Sequence, residues 1–252
     1  MRVISRLDIK QDVLIKSIMF DGVRKLGKPE EFARKYYEEG IDELMLINNT
    51  GSLYNTKLNK NIIKNIRAGK AIPISAGGGI SNYNDALKLI ENGCDKIVLN
   101  TLIHKDINEV KKIIKTLGSS SVIGSIQFEK RDDNYISLYE MARETNYLSL
   151  NDTIKLYIDL GVGEIMLTQV DRDGCYSGLS NEINEEISNF NKKAPILLSG
   201  GFADKDELYP LKNLLSGVVI SSAFHYQKIG VKKVIDCRNK INNSEYFVNE
   251  KK

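Results

Sequence analysis

The sequence repeats itself once, at a long period. Gly40-Ile-Asp-Glu-Leu-Met-Leu-Ile47 matches Gly161-Val-Gly-Glu-Ile-Met-Leu-Thr168, with Glu43 and Glu164 121 residues apart. Pro73-Ile-Ser-Ala-Gly-Gly-Gly79 matches Pro195-Ile-Leu-Leu-Ser-Gly-Gly201 at an offset of 122. Val98-Leu-Asn-Thr-Leu-Ile-His104 matches Val219-Ile-Ser-Ser-Ala-Phe-His225, again 121 apart, so the chain's two histidines fall at equivalent positions. A period this long is not that of a solenoid, whose units run about 20–50 residues. It points to two half-domains of equal build, about 1–118 and 119–242. No Pro- or Gly-rich linker separates them, so the 252 residues read as a single domain, 1–252.

Short apolar runs rich in Ile, Val and Leu recur at 3–8, 43–48, 72–76, 96–100, 121–127, 164–168, 196–199 and 217–221. Most are nearly continuous rather than alternating, which is how strands buried on both faces read. Helical patterns lie between them at 29–39, 84–92, 106–117, 152–160, 180–189, 204–215 and 231–242. The first opens on Pro29 and several stop before a glycine. Eight strands alternating with helices over about 250 residues predict an α/β fold, a (β/α)8 (TIM) barrel of two half-barrels. A doubly wound open sheet would more often carry a Gly-rich turn after its first strand, and none is there.

Composition narrows the function. Lys and Arg total 36 against 33 Asp and Glu, a net charge of +3, too balanced for a charge-driven nucleic-acid binder. No apolar run approaches the roughly 20 residues of a membrane span, and the charged start is unlike a signal peptide. Three scattered cysteines form no disulfide framework or CxxC pair, as in a protein with reduced, cytoplasmic thiols. Two histidines exclude a His-rich metal site, and no cofactor or metal is implied.

Barrel active sites lie where the strands end. Gly78-Gly79 and Gly200-Gly201 follow the third and seventh strands; Asn100-Thr101 and Ser221-Ser222 follow the fourth and eighth. Successive glycine N–H groups can nest phosphate oxygens, and hydroxyls add donors. Two such nests predict a ligand with a phosphate at each end. Asp8 ends the first strand and Gln127 the fifth, where opposed acid–base groups belong. Asp171, Asp173 and Gly174 form a turn after the sixth strand that could hold ligand hydroxyls. Lys16 lies on the stretch running to Pro29, where a long loop could carry a flexible phosphate clamp. At the opposite ends of the strands, Arg2, Glu43, Lys96 and Glu164 form a ring of two cations and two anions. By position alone, that ring is a structural salt-bridge cluster.

The motifs Arg6-Leu-Asp-Ile-Lys10, Asp42-Glu-Leu44, Ala76-Gly-Gly-Gly-Ile80, Asp95-Lys96, Asn100-Thr101, Gly163-Glu164, Asp171-Arg-Asp-Gly174, Ser199-Gly-Gly201 and Phe224-His225 together resemble the cyclase subunit of imidazole glycerol phosphate synthase. The resemblance runs from Arg2 to His225. It implies a glutaminase partner on the barrel floor, ammonia crossing the barrel interior, and a phosphorylated small-molecule substrate at the mouth. It makes Arg2, Glu43, Lys96 and Glu164 an ammonia gate and places Asp95 near the glutaminase interface. It also exposes departures. The family's first catalytic aspartate falls on Asp8, but the second falls on Gln127. A family aspartate after strand two is here Asn48, and an Asn-Thr-Gly segment is Thr145-Asn-Tyr147. The segments Asp21-Gly-Val-Arg-Lys-Leu-Gly-Lys-Pro29 and Phe32-Ala-Arg-Lys-Tyr-Tyr37 resemble a paralogous branch associated with sugar amidination for surface glycans. There a separate sugar amidotransferase receives the nitrogen. The alternatives are an authentic cyclase of histidine biosynthesis, a non-catalytic ammonia-conducting scaffold and, less in keeping with the ring, the related histidine-pathway isomerase.

Overall fold

The computed structural model describes the backbone of residues 1–249 and the side chains through residue 243. Its strands are β1 (Arg2–Lys10), β2 (Val13–Ile18), β3 (Asp21–Gly27), β4 (Glu43–Asn48), β5 (Ile74–Gly77), β6 (Lys96–Leu99), β7 (Val122–Arg131), β8 (Asn134–Tyr139), β9 (Glu144–Ser149), β10 (Glu164–Gln169), β11 (Ile196–Ser199) and β12 (Gly217–Ile220). Eight of them run parallel in the order β1-β4-β5-β6-β7-β10-β11-β12. The sheet closes because β1 pairs with β12 (Ile4 opposite Val219) and β7 with β10 (Ile123 opposite Glu164). This is the (β/α)8 barrel, and its strands fall on the eight apolar runs.

The closed sheet has two buried faces. On β1, Val3, Leu7 and Ile9 join the layer between sheet and helices, whereas Ile4 faces the barrel axis. Around the axis Ile4, Met45, Val98, Ile123, Met166, Leu197 and Val219 form one apolar layer, each at most 5% exposed. The helices cover the outside with amphipathic faces. Pro29–Glu38 starts on its proline, carries Glu30 and Glu31 in its first turn, and buries Ala33 and Tyr36. Those acids favour the positive end of the helix dipole. Asn82, Asp106 and Ser149 cap three further helices by accepting backbone N–H bonds from Asp85, Glu109 and Asp152.

The structure differs from expectation in six places. The stretch from Val13 to Gly27 is no loop: β2 and β3 form an antiparallel hairpin on β1. A second hairpin, β8/β9, extends β7 at the equivalent place in the other half. A helix at Lys60–Arg67, burying Ile62, Ile63 and Ile66, fills the gap between β4 and β5. The pattern at 180–189 yields only the helix Asn184–Ser188, and that at 204–215 a short 3-10 turn followed by Leu208–Leu211. The last helix extends beyond 242, over Val231–Asn249.

Candidate functional site

At the mouth the barrel opens into a cavity of about 640 Å³. Its base is the apolar layer, through Val98 and Met166, and its wall includes Arg6, Asp8, Asn48, Gly79, Asn100, Thr101, Ser125, Gln127 and Thr168. Asp8 and Arg6 continue the inward face of β1. Arg6 Nε lies 3.1 Å from Asp8 Oδ1, and Arg6 Nη2 lies 3.1 Å from Asp8 Oδ2 and 3.2 Å from Asp173 Oδ2. Lys16 Nζ donates to Asp173 Oδ2 at 2.7 Å and to Asp8 Oδ2 at 3.2 Å. All four side chains are at most 5% exposed. Burial of charge is tolerated here because two cations face two anions. Burial alone would raise the Asp173 carboxyl, but Lys16 and Arg6 outweigh it and hold the group below the usual carboxylate range.

Lys16 therefore sits on strand β2 inside an ion-pair cluster, where it ties the first hairpin to β1 and to the turn after β10. Sequence reasoning placed it on a loop because the apolar positions of β2 are interrupted by Lys16 and Ser17, both buried. Asp171 and Asp173 part company. Asp173 turns inward, whereas Asp171 is exposed and its Oδ2 accepts from Gln169 at 3.2 Å. Gln127 lines the cavity and its Oε1 accepts the Ala142 N–H at 2.7 Å, which pins it to the second hairpin. Asn48 faces the same cavity while donating to the Thr56 carbonyl. Thr145, Asn146 and Tyr147 lie outside it on β9, with Tyr147 fully exposed. Arg6 was quoted only within a motif. The signal that could have found it is a cation at an inward position of β1, two residues before Asp8.

Both glycine pairs lie in the positive-φ region that favours glycine. Gly78 and Gly79 have φ of +91° and +76°, and Gly200 and Gly201 of +103° and +94°. A Cβ on Gly78 would meet the Asn48 carbonyl oxygen at 2.1 Å, and one on Gly200 the Gln169 carbonyl oxygen at 2.4 Å. Asn48 and Gln169 are themselves 121 residues apart, so the repeat extends to the contacts that demand glycine. The first pair opens onto the main cavity beside Thr101, whose hydroxyl donates to Ser52 at 3.1 Å, while Asn100 donates to the Ser125 carbonyl at 2.8 Å. The second pair borders a separate cleft of about 260 Å³ with Asp173, Gly174, Tyr176, Ser221 and Ser222. There the buried Ser222 hydroxyl has no hydrogen-bond partner among the described residues.

At the floor the four predicted charges form a closed ring. Arg2 lies 2.8 Å from Glu43 and 2.9 Å from Glu164, and Lys96 lies 2.8 Å from Glu164 and 3.9 Å from Glu43. Glu43, the most buried, is pushed above the usual carboxylate range by burial, which Lys96 and Arg2 oppose. Asp95 stands beside the ring, half exposed, accepting the Ile74 N–H at 2.7 Å and pairing with Arg67. Among the described residues no helix is long and apolar enough to cross a membrane.

A two-fold-repeated barrel with a charged ring at its floor, an apolar axis and a polar mouth flanked by two equivalent glycine pairs defines a class of half-barrel-repeat (β/α)8 protein. The family profile described as "Histidine biosynthesis protein" matches residues 2–230. Relatives each described as "Imidazole glycerol phosphate synthase subunit HisF" align over most of the chain. That of Natranaerobius thermophilus is 28% identical across 92% of this chain and 93% of its own. That of Legionella pneumophila is 33% identical across 82% and 97%, and that of Thermococcus onnurineus 31% across 92% of each. The chain belongs to the histidine biosynthesis protein family and is HisF-like over nearly its whole length.

Proposed function

We propose that this chain is the barrel subunit of a glutamine amidotransferase complex, receiving ammonia from a HisH-like glutaminase docked at its floor and passing it along the axis for amidination of a sugar in surface-glycan biosynthesis. The observation that carries this reading is the state of the mouth. Among the described residues the only carboxylate lining the main cavity is Asp8, gripped by Arg6 and Lys16, and Gln127 stands opposite without a titratable proton. A positioned acid–base group contributes roughly 10²–10⁴ in rate, so a cyclase built on this mouth lacks most of its proton transfer. The floor ring and the apolar layer, by contrast, are complete. Neutral ammonia crosses an apolar layer far more readily than ammonium, whose charge is costly to desolvate.

In this reading Arg2, Glu43, Lys96 and Glu164 gate entry, Asp95 contributes to the glutaminase contact, and the two nests hold phosphate groups of a small-molecule ligand. A sugar amidotransferase consumes the nitrogen. The second reading, an authentic cyclase with Asp8 acting alone, is favoured by the HisF description of the relatives. Co-expression with a HisH-like glutaminase tests the first step. The account expects a stable complex in which glutamine hydrolysis rises when the barrel is bound. Failure of that glutaminase to co-purify counts against it.

A further inference from the structure

The chain's two histidines occupy equivalent places, and each meets a tyrosine of the opposite half: His225 with Tyr36, His104 with Tyr157, the tyrosines again 121 residues apart. The two pairs are built differently. Tyr157 shares its hydroxyl between His104 Nε2 and the Ser125 carbonyl, both at 3.2 Å. His225 uses both ring nitrogens: Nδ1 lies 2.7 Å from the Tyr36 hydroxyl and Nε2 3.1 Å from Ser221 Oγ. Tyr36 is 1% exposed and stacked nearly parallel on the imidazole, and Ser221 lines the second glycine cleft.

We infer that His225 is a positioning residue that aims the Ser221 hydroxyl proton into the Gly200–Gly201 cleft, as a hydrogen-bond donor to a bound tetrahedral oxyanion. The inference rests on the reading of that cleft as a phosphate nest.

The argument is one of proton counting. Burial, with the charges of Lys16 and Arg6 adding to it, pushes His225 down to about 3 although Asp8 and the Arg6 backbone oppose them, so the ring is neutral, with one donor and one acceptor nitrogen. The Tyr36 hydroxyl is held well above its ordinary range by burial and keeps its proton. With Nδ1 as its contact, that buried O–H is satisfied by donating to Nδ1. The ring proton is then on Nε2 and is donated to Ser221 Oγ. Ser221 thus accepts from the ring, and its own proton is left to turn toward the cleft. In the opposite tautomer Ser221 would spend its proton on Nε2 and offer the cleft only lone pairs, which repel an anion.

Phosphate titration followed by backbone amide NMR reads the two nests separately, through Gly201 and Ser222 on one side and Gly79 and Thr101 on the other. Long-range ¹⁵N–¹H spectra of the imidazole read the tautomer. The wild-type protein should show His225 protonated on Nε2 from pH 5.5 to 8.5. Tyr36→Phe, which removes one oxygen from a packed ring, should mix the tautomers and weaken inorganic phosphate at Gly201/Ser222 by about 3- to 10-fold, with Gly79/Thr101 unchanged. Ser221→Ala should give a similar loss and make Tyr36→Phe silent. His225→Gln, oriented to donate from Nε2 to Ser221, should retain more affinity than His225→Leu. Phosphate bound at Gly201/Ser222 with an Nδ1–H tautomer, or with no response to Tyr36→Phe, overturns the relay alone. No phosphate at Gly201/Ser222 in the wild type overturns the nest reading, and the relay with it.

Discussion

Arg6 holds Asp8 in a two-point ion pair, Nε to Oδ1 and Nη2 to Oδ2, each at 3.1 Å. The same guanidinium reaches Asp173, and Lys16 bridges both carboxylates. The mouth is therefore stitched together across β1, the first hairpin and the turn after β10. Asp8, the carboxylate lining the main cavity, is held within this ion-pair network.

Asp173→Asn should destabilise the protein at neutral pH, by about 3–5 kcal/mol if the network behaves as other buried ion pairs do when one partner is removed. The Asp173 carboxyl is held below its ordinary value in the folded state. Its ionic contribution is thus fully present above the unfolded carboxylate pKa of about 3.9 and is lost as pH falls through the lower folded value. Urea unfolding of both proteins should show their difference constant from pH 7 to 5 and narrowing below about pH 4. A difference that stays constant into acid would mean that the charge of Asp173 does not matter.

Gly78→Ala and Gly200→Ala should each cost well over the roughly 1–2 kcal/mol of a positive-φ alanine, because their Cβ atoms would meet backbone carbonyls at 2.1 and 2.4 Å. Gly40→Ala is the control: its φ is +86° with open space around the new atom, so only the backbone term applies. Equal losses in denaturant midpoint for all three would show that the close approach is relieved at no cost.

Lys96→Ala separates a gate from a structural ring. With Lys96 gone, Glu43 and Glu164 share Arg2, and a glutamate takes up a proton or the ring opens. A gate predicts a melting temperature within a few degrees of wild type and a severalfold change in the ratio of glutamine-driven to ammonia-driven turnover of the acceptor reaction. A structural ring predicts the reverse, a large melting-temperature loss at an unchanged ratio.

The barrel was legible because its eight strands are buried on both faces, so each leaves a continuous apolar run. The hairpins were not. β3 is almost wholly exposed and reads as Asp-Gly-Val-Arg-Lys-Leu-Gly, and β9 carries polar residues and an exposed Tyr147. Strands paired outside the barrel have no second buried face to imprint a pattern. Lys60–Arg67 escaped because eight residues hold only two helical turns, although Ile62, Ile63 and Ile66 have the helical spacing and Asn59 caps it. At the mouth, residue types pointed to the two glycine pairs and to Asp8, which the structure places on its walls. That Lys16 pairs with Asp173 was invisible, because it depends on a hairpin folding back across 157 residues of sequence separation.

The central claim, that the barrel conducts ammonia but has surrendered cyclase chemistry, is tested most directly by one steady-state assay. The purified chain is given ammonia and the bisphosphate intermediate of histidine biosynthesis, and formation of imidazole glycerol phosphate is followed. The account predicts turnover at least about 100-fold below that of an ordinary cyclase subunit measured alongside, the lower bound for a missing acid–base group. It further predicts that Gln127→Asp raises whatever turnover remains. Wild-type turnover equal to that of the ordinary subunit would contradict it and return the chain to histidine biosynthesis.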